Sequence, residues 1–303
     1  MSDARRRVSV LTREGHVLRG VMALDAAGGD ADAHRRMSWR ENLPETAPGP
    51  VTDQGEAPVV VLVAGLGLSG EFYEASHAPL AAAGVRLVVP DLPGWGRTPG
   101  PLTGISPEAT ATFLESFAEA LAIRRAVWAG HSLGAQAVAV LAARRPDLAA
   151  GLVLVGPTGR PARFETPRQV LALTLEATRV SARVVRAVAG EYVRTPPSRY
   201  LGTWLRHAGH DLPAVLARVH CPVLILVGDN DPVCPAGYIA TLARHAPRAA
   251  VTWVAGGTHA LPRGSADAFN AALADFAAET MSHVSNGTAG DRPGQDEATE
   301  RAE

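Results

Sequence analysis

The 303-residue sequence contains little cysteine and no excess of charge of either sign. Its two cysteines, Cys221 and Cys234, are too few for a disulfide framework and lack the spacing of a zinc site, which favours reduced thiols in a cytoplasmic protein. The 29 basic and 30 acidic residues nearly cancel, so a nucleic-acid-binding surface or a polybasic membrane anchor is not indicated. A neutral or weakly charged small molecule is the expected partner, and the oligomeric state is not indicated.

Long uninterrupted apolar segments are also missing. Residues 8–21 are broken by Arg13, Glu14 and His16, unlike the core of a signal peptide. The most apolar stretch, residues 126–143, carries His131 and Ser132 near its middle, where polar groups would be costly in a bilayer. We therefore expect neither secretion nor stable membrane insertion.

Short, almost continuous apolar runs recur along the chain and are typical of strands covered on both faces. Helical patterns separate most of them, including residues 107–123, where Phe113, Phe117 and Leu121 share one face. This alternation predicts an α/β fold, with a mainly parallel sheet and helices on both sides. The runs are residues 59–63, 85–89, 126–129, 152–155, 223–227 and 250–254.

The remaining segments define the predicted domain organisation. Two short β-runs around a Gly-containing turn predict an N-terminal hairpin, and the next segment, rich in Ala, Gly, Asp, Glu and Pro, predicts an irregular or disordered insertion. The interval between the fourth and fifth apolar runs is too long for one crossover and predicts a helical cap. The predicted segments are a hairpin in 1–25, an insertion in 26–57, a core in 58–158 and 217–280, a cap in 159–216 and a disordered tail in 281–303.

A candidate nucleophile follows the third apolar run. Gly130-His131-Ser132-Leu133-Gly134 is a G-x-S-x-G segment between a predicted strand and a predicted helix, the context that makes this motif meaningful. Glycines on both sides permit the tight turn that lifts the serine off the strand end. A serine hydroxyl needs a base, and the base needs an acceptor that holds its tautomer.

Both partners are available at the ends of later strands. Asp229 and Asp231 follow the fifth apolar run, and His259 follows the sixth, so all three lie at the edge where ligands meet an open α/β sheet. An oxyanion hole needs backbone N–H donors as well. We expect one donor from Leu133 and the other from the glycine-rich loop 64–70, at Leu66.

Together these motifs resemble the α/β-hydrolase superfamily over residues 8–278, in particular its capped esterases, lipases and carbon–carbon-bond hydrolases. The segment 91–98 is similar to the family's D-x-P-G-x-G-x-S motif, with Thr98 in place of serine. The resemblance implies the triad Ser132, Asp231 and His259, because the family's acid stands three residues after the strand-ending glycine. One departure is Ala64 before Gly65, where the family often has His-Gly.

A serine at this position implies acyl chemistry, since the dehalogenases and epoxide hydrolases of the superfamily have an aspartate there. The expected reaction is hydrolysis of a carboxylic ester or similar activated acyl bond of a small, largely apolar substrate, with no metal or organic cofactor. Acyl transfer, carbon–carbon-bond hydrolysis and a non-catalytic binding role are the alternatives.

The predicted cap offers candidates for substrate contacts. Its apolar side chains predict an acyl or alkyl pocket, although packing of amphipathic helices explains the same pattern. Arg160, Arg163 and Arg168 are candidates for binding a carboxylate. The apolar candidates are Phe164, Leu171, Leu173, Leu175, Tyr192, Tyr200, Leu201, Trp204 and Leu205.

Overall fold

The computed structural model describes residues 7–14, 17–23, 36–42, 57–159 and 166–287. Within these residues the chain is built on a nine-stranded sheet. The strands are β1 (Arg7–Glu14), β2 (Val17–Ala23), β3 (Arg36–Asn42), β4 (Val59–Val63), β5 (Arg86–Pro90), β6 (Ala126–His131), β7 (Ala149–Val155), β8 (Val223–Gly228) and β9 (Ala249–Val254). Their order across the sheet is β1-β2-β3-β5-β4-β6-β7-β8-β9.

Most of this sheet is parallel. Strands β4 to β9 pair in parallel, whereas β1, β2 and β3 pair antiparallel and extend the sheet from β5. Strands β4 to β8 are apolar at nearly every position because both of their faces are covered, whereas in the edge strand β9 only Val254 is buried. In β4, for example, Val61 joins one hydrophobic cluster and Val60 joins the other. The predicted mainly parallel sheet is confirmed.

Helices lie on both faces, as predicted. One hydrophobic cluster is formed with α2, α3, α7 and α8, and the other with α1, α9, α10 and the 3₁₀ turn Gly70–Tyr73. The helices are α1 (Glu74–Ala82), α2 (Pro107–Ala120), α3 (Gly134–Arg144), α4 (Thr166–Arg179), α5 (Ala182–Val193), α6 (Pro197–His207), α7 (Leu212–Leu216), α8 (Ala236–His245), α9 (Leu261–Gly264) and α10 (Ala266–Gly287).

Local sequence explains where α2 begins and which face it buries. The Ser106 hydroxyl accepts a hydrogen bond from the Ala109 N–H at 3.2 Å, and Pro107 occupies the first helical position, where no N–H is needed. Phe113 and Phe117 are buried and stack with ring centroids 6.2 Å apart. The apolar stripe of the sequence therefore becomes the face of α2 that packs on the sheet.

Helices α4, α5 and α6, which we call the inserted helices, lie between β7 and β8. They contact the loops that follow the core strands. Arg199 of α6 donates to the carbonyls of Gly94, Gly100 and Pro101, and the Ser69 hydroxyl donates to Glu191 of α5 at 2.8 Å. They lie within the interval 159–216 predicted to be a cap, of which residues 160–165 are outside the described residues.

Strand β3 corrects the prediction of irregular structure in residues 26–57. It carries few apolar side chains, and its buried polar groups have specific partners instead. The Ser38 hydroxyl donates to Asp91 at 2.6 Å, and the Asn42 side chain accepts from the Leu87 N–H and donates to the His77 carbonyl. Residues 26–35 and 43–56 lie outside the described residues.

The predicted disordered tail is also corrected at its start. Helix α10 continues to Gly287, so residues 281–287 are helical, while residues 288–303 lie outside the described residues. Phe269, Leu273 and Ala277 of α10 are fully buried, and their four-residue spacing places them on one face of the helix. The chain is therefore helical for seven residues from residue 281 onward, where the tail was predicted to start.

In the described part of the chain, no helix combines the length and the apolarity needed to cross a bilayer.

Candidate active site

Ser132 stands on a strained turn between β6 and α3. Its φ is +55°, a left-handed conformation that is uncommon for a residue with a side chain. The turn requires close backbone contacts on both sides. A Cβ on Gly130 would lie 2.5 Å from the Gly134 carbonyl oxygen, and a Cβ on Gly134 would lie 2.5 Å from the Val63 carbonyl oxygen. Both glycines of the motif are therefore required by sterics.

The structure brings Ser132, His259 and Asp231 into one hydrogen-bonded row. The Ser132 Oγ lies 3.0 Å from His259 Nε2, and His259 Nδ1 lies 2.9 Å from Asp231 Oδ2. All three residues are buried. Each follows a different parallel strand, β6, β8 or β9, so their convergence results from the shared direction of these strands.

Asp231, and not Asp229, contacts the imidazole. Asp231 Oδ1 accepts hydrogen bonds from the backbone N–H groups of Val233 and Cys234, at 2.7 and 3.2 Å, which leaves Oδ2 for His259. Asp229 is exposed, and its N–H donates to the Val254 carbonyl at 3.1 Å. The carboxylate of Asp231 is thus held in a fixed orientation by the turn that follows β8.

The electrostatics of the pair favour an ionised acid and a basic imidazole. Burial alone would lower the pKa of His259, but the charge and hydrogen bond of Asp231, with a further contribution from Glu176, raise it above its ordinary value. Burial alone would raise the pKa of Asp231, but His259 and the backbone donors lower it. Each group therefore stabilises the charged form of the other.

Leu66 and Leu133 border the same cavity as Ser132. Leu66 lies in the loop after β4, and Leu133 lies directly before α3. Within the described residues neither backbone N–H is used in a hydrogen bond. Gly65 allows the loop to approach Ser132, since a Cβ there would lie 3.1 Å from the Ser132 Cβ. Both residues therefore border the cavity of Ser132 and have a backbone donor without a partner among the described residues.

His131 takes part in a buried hydrogen-bond chain that sequence reasoning missed. Burial and the neighbouring His259 lower the pKa of His131 to about 3, so its ring is neutral. Nε2 faces the His259 carbonyl oxygen at 3.0 Å and is the donor, which leaves Nδ1 to accept from the Tyr73 hydroxyl at 2.9 Å. The Tyr73 oxygen accepts from the Gly65 N–H at 3.3 Å. These hydrogen bonds, through Tyr73 and His131, join the loop that carries Leu66 to the loop that carries His259.

The motif at residues 91–98 forms hydrogen bonds to the end of the loop that carries Leu66. Asp91 accepts hydrogen bonds from the Gly70 N–H at 3.0 Å and from the Arg97 N–H at 3.1 Å, in addition to that from Ser38. A Cβ on Gly96 would lie 2.3 Å from the Asp91 carboxyl carbon. Asp91 thus ties strand β3 to the loop that carries Leu66.

A cavity of about 710 Å³ opens onto Ser132 and His259. Most of its lining is apolar, and most of the apolar side chains come from the inserted helices and the loop between α4 and α5. Its polar lining includes Gln136, Thr158, Glu176 and His207, and the Gln136 Oε1 lies 3.0 Å from His207 Nδ1. The apolar lining includes Val180, Val184, Val185, Val188, Tyr192, Tyr200, Leu201 and Trp204.

The predicted substrate contacts divide into groups. Among the apolar candidates, Tyr192, Tyr200, Leu201 and Trp204 border the cavity, whereas Leu171, Leu175 and Leu205 are largely exposed. Phe164, Arg160 and Arg163, and the side chains of Arg168 and Leu173, lie outside the described residues.

Both cysteines are free. The ligand atoms of Asp231, Cys234 and His259 lie within 4.8 Å of one another, which is close enough to suggest a metal cluster. However, burial and the adjacent Asp231 carboxylate raise the pKa of the Cys234 thiol well above its ordinary value, and metals bind the thiolate. The thiol donates to the Pro157 carbonyl at 3.4 Å, and Asp231 is paired with His259. The chemistry of this set suits an acid–base pair better than a metal site.

Comparison with known proteins agrees with this architecture. Residues 60–272 match the model of a family described as "Alpha/beta hydrolase family". The chain is 27% identical over 253 residues to the "Putative carbamate hydrolase RutD" of Caulobacter sp. (strain K31), an alignment that covers 75% of this chain and 92% of the relative.

Solved structures show the same fold. An esterase from Thermogutta terrifontis aligns with a TM-score of 0.66 and 22% identity, over 81% of this chain and 95% of the other. The enol-lactonase from Burkholderia xenovorans LB400 aligns with a TM-score of 0.65 and 22% identity, over 80% and 96%.

Proposed function

The chain belongs to the alpha/beta hydrolase family, and on this premise we propose that it is a serine hydrolase with Ser132 as its nucleophile. The observation that carries the proposal is the unbroken contact from Ser132 Oγ to His259 and on to Asp231, with distances of 3.0 and 2.9 Å. The left-handed backbone at Ser132 supports it, because strain of this kind is retained where a reactive side chain must be presented.

In the proposed mechanism, Ser132 Oγ attacks an acyl carbonyl carbon while His259 Nε2 takes the hydroxyl proton. The carbonyl oxygen becomes an oxyanion, which accepts hydrogen bonds from the N–H groups of Leu66 and Leu133. His259 then gives the proton to the departing alcohol, and an acyl-enzyme ester remains. Asp231 keeps the imidazole in the required tautomer and stabilises its cation.

Water completes the cycle. His259 takes a proton from a water molecule as the oxygen attacks the acyl-enzyme, and the tetrahedral intermediate collapses to a carboxylic acid. The proton returns to Ser132 Oγ, so the enzyme is regenerated. In this scheme every transferred proton passes through His259, and water is the only reactant besides the substrate.

The proposed substrate is a small, largely apolar molecule with a carboxylic ester or similar activated acyl bond. The cavity of about 710 Å³ and its mostly apolar wall support this class. We propose that the inserted helices act as the cap that sets specificity, since they contribute Tyr192, Tyr200 and Trp204 to the wall. The names of similar proteins mention a carbamate, an ester and an enol-lactone, and each of these compounds contains a carbonyl carbon bonded to oxygen or nitrogen.

The test is covalent labelling with a fluorophosphonate probe, together with hydrolysis of p-nitrophenyl esters. We expect the wild type to be labelled and Ser132→Ala to be neither labelled nor active, because the attacking oxygen is lost. Ser106→Ala is the matched control: this serine caps α2, lies outside the cavity lining, and its replacement should leave labelling intact. Labelling of Ser132→Ala at the wild-type level would overturn the proposal.

A further inference from the structure

One acidic side chain of the inserted helices reaches the proposed catalytic site. Glu176, in the last turns of α4, is only 7% exposed and borders the cavity that opens onto Ser132. Its Oε1 accepts a hydrogen bond at 3.0 Å from the N–H of Ala260, the residue directly after His259. Glu176 therefore lies beside the proposed base, although the two are far apart in the sequence.

The second oxygen of this carboxyl group has no such contact. Among the described residues, Glu176 Oε2 is buried without a hydrogen-bond partner, and Glu176 forms no ion pair with a basic side chain. Burying a polar oxygen without a partner costs free energy, and more so when it carries charge. Such an atom at the wall of a binding cavity is matched when a ligand supplies a donor.

Four apolar side chains of the inserted helices and of the loop between α4 and α5 border the same cavity. Ala177, Val180, Val184 and Val188 border the cavity with Glu176, and their side chains are apolar. Thr158 also borders the cavity with an unpartnered hydroxyl, but a hydroxyl can donate or accept and so selects no polarity. An ionised carboxylate accepts only.

Holding the Ala260 N–H does not explain why the residue is a glutamate. A single acceptor oxygen is sufficient for that bond, and the neutral amide of glutamine would supply it. The carboxylate adds a negative charge that contributes to the raised pKa of His259. Oε2 is left as an acceptor without a hydrogen-bond partner among the described residues.

We propose that Glu176 forms a polar subsite in the mostly apolar cavity, and that the substrate carries a hydrogen-bond donor, an ammonium, N–H or O–H group, near its scissile carbonyl. This inference rests on the proposed function and narrows its substrate class. Oε2 accepts the donor while Oε1 remains on the Ala260 N–H, so the substrate is anchored next to His259. Purely aliphatic esters then fill the cavity but leave Oε2 unmatched.

The test uses Glu176→Gln, which has nearly the same shape. Its amide oxygen can keep the Ala260 N–H bond, while its NH₂ group replaces Oε2 and changes that position from an acceptor to a donor. Glu191→Gln is the matched control, because Glu191 is a similarly buried glutamate of the inserted helices but does not border this cavity. Only the first substitution should alter the preference between donor-bearing and apolar substrates.

Hydrolysis is measured with two isosteric ester pairs. In one pair the terminal methyl of the acyl chain is replaced by an ammonium group, and in the other the same change is made in the alcohol. We expect the wild type to prefer the donor-bearing member of at least one pair by about ten- to a hundredfold in kcat/KM, the value of a hydrogen bond to a charged group. Glu176→Gln should lose that preference, and Glu191→Gln should keep it.

The inference fails if both pairs give the same preference in the wild type and in Glu176→Gln, or if the wild type favours the apolar members. Fluorophosphonate labelling of each variant separates this failure from failure of the proposed function. A protein that labels at Ser132 and hydrolyses esters without any effect of Glu176 on preference is a serine hydrolase that lacks this subsite.

Discussion

Replacing Asp231 by asparagine tests how the site holds its base. Asp231 Oδ1 accepts from the N–H groups of Val233 and Cys234, and these donors select the oxygen of an asparagine amide in the same position. The amide NH₂ must then face His259 Nδ1, where the wild type presents Oδ2 at 2.9 Å. The substitution changes an acceptor into a donor at a fixed place.

This exchange reverses the tautomer of His259. With Nδ1 now accepting, the imidazole proton moves to Nε2, which lies 3.0 Å from Ser132 Oγ and can no longer accept the hydroxyl proton. Loss of the correct tautomer in a serine–histidine–aspartate site lowers kcat by about 10⁴-fold. That factor corresponds to about 5 kcal/mol of transition-state stabilisation.

The assay is kcat for a p-nitrophenyl ester, with the melting temperature as a measure of folding. We expect Asp231→Asn to fold, because its oxygen keeps both backbone bonds, and to lose nearly all activity. Asp229→Asn is the control, since Asp229 is exposed and should tolerate the change within about twofold, as surface substitutions usually do. A folded Asp231→Asn that retains more than a tenth of wild-type kcat would refute the assigned role of Asp231.

Two further predictions concern the turn and the pH profile. Gly134→Ala places a Cβ 2.5 Å from the Val63 carbonyl oxygen and should destabilise the protein by about 2 kcal/mol or more. The control is Gly237→Ala in α8, which has open space around it and should not lower the melting temperature. Equal melting temperatures for the two variants would contradict the steric clash at Gly134. The proposed base acts only when neutral, and the pKa of His259 is raised above 6.5, so kcat/KM should fall at acidic pH with a midpoint above 6.5. Removal of the negative charge in Glu176→Gln should move that midpoint to lower pH. A midpoint below 6.5 in the wild type would contradict the raised pKa of His259.

The parallel strands and the Ser132 turn could be predicted because their signals are local. The runs that form β4 to β8 are apolar because both of their faces are covered, and Gly130 is required by a contact within the turn itself. His259 and the two candidate acids could be predicted because they follow strands, whereas the choice of Asp231 over Asp229 came from the resemblance to the hydrolase family.

Strand β3 and Glu176 could not be found in this way. The polar side chains of β3 are acceptable in a buried strand only because Asp91, Leu87 and His77 supply partners from elsewhere in the chain. Glu176 is separated from Ala260 by 84 positions. A glutamate in a helix is usually expected to be exposed, and no spacing rule predicts that it contacts the loop after β9. In both cases the structure depends on a contact with residues far away in the sequence, and a pattern of neighbouring residues cannot predict such a contact.

The hydrogen-bond chain through Tyr73 and His131 makes the Gly65 loop and the His259 loop parts of one assembly. Since His131 is the residue next to Ser132, the positions of Ser132, His259 and the loop with Leu66 cannot be adjusted one at a time. The inserted helices are outside this chain. Glu176 is the exception, because it accepts a hydrogen bond from the Ala260 N–H beside His259. Natural or engineered variation at other cavity-lining positions of these helices can therefore change which molecules enter, while Ser132 and His259 stay aligned.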